Sequence, residues 1–140
     1  MAFKQALVID DDRSARTIWE LILTERGYNV FIAETLAAGY DQVSDAVSFY
    51  VLDYHLPDGD GAVAAAQIRE RYPECMIAAV SIDDSSEVIR EVMEAGANVF
   101  VVKPTSPSLM TQILNEVEEG ALNFNARQVI TRNGRRDFTF

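Results

Sequence analysis

Five short apolar runs punctuate the first 122 residues: ALVI at 6–9, NVFI at 29–32, SFYVL at 48–52, MIAAV at 76–80 and VFVV at 99–102. Each is followed by a stretch with helical spacing. Runs that are apolar throughout, rather than alternating, suit strands covered by helices on both faces, and strand–helix alternation gives a parallel sheet. The pattern therefore predicts an α/β fold with five strands and five helices, in one domain spanning residues 1–122.

The intervening segments read as helices in turn. Ala15, Ile18, Trp19 and Ile22 recur at helical spacing, with Gly27 placed to end the helix. A short second helix is expected over 36–43, capped by Thr35, and a third over 61–71, stopped by Pro73. The fourth covers 85–95 ahead of Gly96, and the fifth buries Leu109, Ile113, Leu114, Val117 and Ala121. Asp58-Gly59 and Asp60-Gly61 resemble hairpin turns, but the alanine-rich helix behind them argues for a plain strand-to-helix turn at LPDG.

Composition narrows the class further. A formal charge of -10 disfavours direct nucleic-acid binding. The charge is uneven: residues 123–140 hold four arginines against Asp137, net +3, leaving -13 on residues 1–122. No apolar stretch is long enough for a signal peptide or a membrane span, and a lone Cys75 in an apolar run fits a reduced compartment, so a cytoplasmic protein is expected.

Right-handed crossovers bring the C-terminal ends of parallel strands to one rim, where open α/β sheets bind ligands. Asp10, Asp11 and Asp12 follow the first strand, Asp53 the third, Ser81 the fourth and Lys103 the fifth. Such a carboxylate cluster invites a hard divalent cation, which takes oxygen ligands. Asp12 has a second reading as the cap of the first helix.

These motifs, VIDD, LDYHLPDGDG, AAVS and VVKP, in this order and spacing, resemble the receiver domains of two-component response regulators over about residues 5–121. The resemblance implies a flavodoxin-like doubly wound (βα)5 fold with sheet order 2-1-3-4-5. It implies that Asp53 is a phosphoacceptor served by a histidine kinase or phosphotransfer protein. Asp10, Asp11, Asp53 and the backbone carbonyl of His55 would hold Mg²⁺, and Lys103 and Ser81 would contact the phosphoryl group. Ser81 and Phe100 would form a switch, with phenylalanine where relatives often carry tyrosine. Lys103-Pro104 would be a cis peptide. The output surface would be the face of the fourth helix, fifth strand and fifth helix, which in relatives pairs with a second copy or an output domain beyond the C-terminus.

One departure is Ile82, where the family usually has a small residue; its branched side chain is expected to narrow access to Asp53. Two rivals stand beside this reading. Asp10-x-Asp12, Ser81 and Lys103 also resemble three motifs of haloacid-dehalogenase-type phosphatases, with Asp10 as nucleophile and Asp12 as acid/base, but 104–110 lacks the acidic fourth motif. The other is a receiver-like interaction module that is never phosphorylated. For residues 123–140 the alternatives are a disordered basic linker, or a hairpin or docking strand around Asn133-Gly134.

Overall fold

The structure is a computed structural model and describes residues 4–139. Strands β1 (Lys4–Ile9), β2 (Tyr28–Ala33), β3 (Val47–Asp53), β6 (Met76–Ser81) and β7 (Val99–Val102) form a parallel sheet in the order β2-β1-β3-β6-β7, the 2-1-3-4-5 order of the five expected strands. The helices are α1 (Arg13–Glu25), α2 (Leu36–Tyr40), α3 (Gly61–Arg71), α4 (Ser86–Ala95) and α5 (Pro107–Glu118).

Pleat sends alternate residues of each strand to opposite sides. Leu7, Ile9, Leu52, Ile77 and Phe100 join Leu36, Ile68, Val92 and Met93 of α2, α3 and α4 in one core. Ala6, Val8, Phe49, Val51, Val99 and Val101 meet Trp19, Leu23, Ile113 and Leu114 of α1 and α5 in the other. Every helix starts on a side-chain cap: Asp12, Thr35, Asp60, Ser85 and Ser106 each accept a first-turn amide. Gly27 and Gly96 take positive φ just past α1 and α4, at 88° and 118°. No helix among the described residues is long and apolar enough to cross a membrane.

Three local expectations change. Helix α2 stops at Tyr40 rather than at residue 43, because 41–46 (DQVSDA) offers polar side chains that satisfy the backbone in turns; Ser44 Oγ, for one, accepts the Ala46 amide. The LPDG turn does close a minimal antiparallel ladder, β4 (His55–Leu56) with β5 (Gly59–Asp60), directly before α3. Turn and hairpin are compatible there because two pairs suffice to bridge Pro57 and Asp58, and α3 can start at Gly61.

The third change is the size of the sheet. Strands β8 (Gln128–Thr131) and β9 (Gly134–Asp137) extend it to seven, β8 lying parallel to β7 and β9 antiparallel to β8. Arg132 and Asn133 form the turn, and Gly134 supplies the positive φ of 116°.

Candidate functional site

The ends of β1, β3 and β7 deliver Asp10, Asp53 and Lys103 to one rim. Asp10 is fully buried and Asp53 is 5 % exposed. Lys103 Nζ lies 2.8 Å from Asp10 Oδ2 and 3.2 Å from Asp53 Oδ2, bridging the two carboxylates. Asp10 Oδ1 accepts the Asp12 amide at 2.9 Å and Lys103 Nζ at 3.0 Å. Asp10 Oδ2 is close to the ammonium but accepts no aligned hydrogen bond, the one buried side-chain oxygen so left among the described residues.

Two negative charges face one positive charge in a site largely closed to water. Burial first, and then the charge of Asp10, push the Asp53 carboxyl up from 3.8 to about 7, with Lys103 opposing the rise. Burial pulls Lys103 down, but hydrogen bonding to Asp10 and the charges of Asp10 and Asp53 outweigh it, so its net displacement is upward.

Asp11, on the exposed side, completes the acidic group: one oxygen from each of Asp10, Asp11 and Asp53 fits within 4.8 Å of the others. An all-carboxylate set, with an unsatisfied buried oxygen and a surplus of negative charge, fits a hard divalent cation. Asp12 stands apart. It is exposed, and its Oδ1 accepts the Ser14 amide at 3.1 Å as the cap of α1. The site joins Asp10 to Asp53 through Lys103 rather than assembling the Asp10–Asp12 pair of the phosphatase reading.

Other expected residues are near but otherwise engaged. Ser81, fully buried at the end of β6, accepts the Asp83 amide on Oγ at 3.0 Å. The His55 amide donates to Asp53 Oδ1 at 3.3 Å, and its ring stacks edge-on against Tyr54. Phe100 is fully buried. Lys103-Pro104 is cis. Ile82 is 71 % exposed and lines a groove of about 340 Å³ with Ala15, Ile18, Trp19, Lys103, Pro104 and Met110. It stands on the α1 side of the site.

Several supports have no obvious signature in the sequence. Arg16 reaches back from α1 to the Asp10 carbonyl at 2.8 Å, fixing the end of β1. Gly61 starts α3 so close to the end of β3 that a Cβ there would lie 2.3 Å from the Asp53 carbonyl oxygen. Asp58 accepts the Leu36 and Ala37 amides at 2.8 and 3.0 Å, tying the loop after Asp53 to the start of α2. Tyr54 Oη donates to Glu91 of α4 at 2.5 Å. A Gly before an Ala-rich run and an Asp-Gly pair are the sequence traces of the Gly61 and Asp58 contacts; those of Arg16 and Tyr54 leave none.

The sequence pattern of the response regulator receiver domain matches residues 6–115. The chemotaxis protein CheY of Thermotoga maritima is 28% identical over 120 residues, covering 83% of this chain and 98% of that protein. The photosynthetic apparatus regulatory protein RegA of Rhodobacter capsulatus is 30% identical over 112 residues, covering 79% of this chain and 61% of its own length. Among solved structures, the BeF3-activated receiver domain of Thermotoga maritima DrrB superposes with a TM-score of 0.76 at 28% identity, covering 85% of this chain and 99% of that domain. The chain spans from 28% to 61% of the length of several curated relatives.

Proposed function

Given that this chain belongs to the response regulator receiver domain family, a phosphoacceptor signalling module rather than a turnover enzyme, we propose that Asp53 is its phosphoacceptor in a two-component phosphorelay. The single observation that carries this reading is the Lys103 ammonium bridging Asp10 and Asp53 at the rim of the parallel sheet. In the proposed step an Asp53 carboxylate oxygen attacks the phosphorus of a phosphohistidine on a histidine kinase or phosphotransfer protein. The P–N bond breaks, its electron pair returns to the imidazole, and an acyl phosphate forms on Asp53.

Asp10, Asp11, Asp53 and the His55 backbone carbonyl would hold Mg²⁺, which when bound offsets negative charge on the phosphoryl oxygens. The chain's own residues do the rest. Lys103 already touches Asp53 and needs only a small movement to pair with a phosphoryl oxygen. Ser81 exchanges its acceptor role toward the Asp83 amide for a donor role toward another phosphoryl oxygen, which links the site to the segment entering α4. Phe100 is already inward, and Ile82, exposed in the groove that also holds Lys103, would limit the approach of small donors from that side.

A cytoplasmic location, a kinase partner and an output through α4, β7 and α5 belong to the same reading, as does an output domain following this segment. Pairing of two copies through that face would have to contend with β8, which borders β7. The test is intact mass after incubation with Mg²⁺ and acetyl phosphate or a phosphorylated kinase. Wild type should gain one phosphoryl group and Asp53→Ala none. Many turnovers on phosphomonoesters, or equal labelling of Asp53→Ala, would refute the assignment.

A further inference from the structure

The residue after Asp53 is held through its main chain on both sides. The Tyr54 amide donates to the Val80 carbonyl of β6 at 2.9 Å, and the Tyr54 carbonyl accepts the Gly61 amide at the start of α3 at 2.8 Å. The fit is close, since a Cβ at Gly61 would lie 3.1 Å from the Tyr54 Cα. The Tyr54 ring packs against the core that holds Leu52, Ile89 and Phe100, with the His55 ring edge-on at 4.8 Å.

With main chain and ring both placed, the hydroxyl has one reach. It donates to Glu91 Oε2 on α4 at 2.5 Å, across 37 residues of sequence. A hydrogen bond to a carboxylate is stronger than one between neutral groups. This bond first, and then burial, push the Tyr54 phenol up from its usual range, so it keeps its proton and stays the donor. Packing does not need the contact. Val88, Ile89, Val92 and Met93 already seat α4 on the core, and Glu91 lies on the exposed side of the helix.

The N-terminal end of α4 is tied to the site by a separate route. Ser81 Oγ accepts the Asp83 amide at 3.0 Å, Asp83 Oδ1 accepts the Ser85 amide at 2.9 Å, and Ser85 Oγ caps the Val88 amide at 3.3 Å. A change of partner at Ser81 is therefore passed to the first turn of α4. Glu91, one turn on from Glu87, rides on the same helix. Tyr54, pinned to β6 and α3, does not follow it. The bond between them joins a fixed group to one that moves with the Ser81 segment.

We propose that Tyr54 is a positioning residue for the phosphoryl switch: by holding Glu91 it keeps α4 and residues 82–85 in the arrangement in which Ser81 serves the Asp83 amide, and so opposes the turn of Ser81 toward a phosphoryl group. Resting on the reading of Asp53 as phosphoacceptor, this role requires that breaking the bond favour the phosphoryl-bound arrangement. A contact that only supports the fold would weaken both arrangements alike.

Beryllofluoride, which mimics a phosphoryl group on a carboxylate, separates the two in the full chain with Mg²⁺ present. Calorimetry should give Tyr54→Phe a beryllofluoride affinity roughly three- to tenfold tighter than wild type, the worth of one net hydrogen bond. Glu91→Ala should match it, and the double variant should bind no tighter than either single one, because both remove the same contact. Glu91→Gln, which keeps an acceptor for the hydroxyl, should stay close to wild type. Hydrogen exchange of the metal-free protein should show amides 88–93 exchanging faster in Tyr54→Phe while β1 and β3 keep their protection.

A Tyr54→Phe protein that binds beryllofluoride no tighter than wild type overturns the proposal. So do single effects that add in the double variant, or α4 amides whose exchange is unchanged. A wild type that binds no beryllofluoride strikes the phosphoacceptor reading itself, and the role of Tyr54 with it; a wild type that binds, beside variants that gain nothing, strikes the role of Tyr54 alone. If circular dichroism shows that Tyr54→Phe does not fold, Glu91→Ala, at an exposed position, carries the same expectations.

Discussion

Replacing Asp53 by asparagine should stabilise the metal-free protein at pH 8 and leave it nearly unchanged at pH 4. The Asp53 carboxyl rises from 3.8 to about 7 on folding, through burial first and the Asp10 charge second. The folded chain therefore holds this proton more tightly than the unfolded chain, and metal-free stability should fall as pH rises from about 4 to about 7. Above that window the ionised group opposes folding by up to about 4 kcal/mol, each pH unit of displacement being worth about 1.4 kcal/mol. Asparagine keeps the shape and an oxygen for Lys103 but carries no charge. Because the net displacement already includes the opposing pull of Lys103, the gain should approach that figure, about 4 kcal/mol, or roughly 10–15 °C in Tm for a domain of this size. Urea denaturation in EDTA, followed by circular dichroism across this pH range, measures it. Adding Mg²⁺ should narrow the gap by stabilising wild type more than the variant, which lacks one of the carboxylate ligands. A gain that is the same at pH 4 and pH 8, or a loss at pH 8, would mean that Lys103 outweighs burial and Asp10, and the electrostatic account of the site would be wrong.

Other expectations divide the acidic run by role. Asp10→Asn and Asp11→Asn should weaken Mg²⁺ binding, read by calorimetry, by more than the roughly tenfold lost with an outer-shell partner, whereas Asp12→Asn, which still caps α1, should change it little. Ile82→Ala should speed phosphorylation by acetyl phosphate without altering the melting temperature, because the side chain is 71 % exposed; an unchanged rate would remove Ile82 from the access route. Asn98→Ala should cost about 3 kcal/mol in urea denaturation, since it strips partners from Arg69, the Ile77 amide and the 124–126 carbonyls at once. Proteolysis should then cut first after Arg127 or Arg132.

The sheet was legible because its signals are local: each parallel strand is one continuous apolar run and each helix carries a side-chain cap within a few residues. The carboxylates, Ser81 and Lys103 were legible because parallel topology sends all the strand ends to one rim. What escaped depends on distant partners. The hairpin around Asn133-Gly134 stood in the sequence as one of two alternatives and forms as β8 and β9, but its docking place did not: QVIT is too short to declare a sheet strand by itself, and β8 joins the sheet because Phe100 and Val99 offer an edge. Asn98 reads as a polar residue in a turn until residues 123–126 lie across it. The direction of Ile82 was beyond the pattern as well, because the strand ends at Ser81 and the pleat no longer decides which way the next side chain points.

The rim should present Asp53, and no other carboxylate, to a phosphoryl donor. Borohydride reduction of the phosphorylated full chain followed by tandem mass spectrometry tests it directly, since an acyl phosphate on aspartate is converted to homoserine. Homoserine should form at position 53 alone, and only when Mg²⁺ is present. Homoserine at position 10 or 12, a phosphate retained on Ser81, or labelling that persists in EDTA would contradict it.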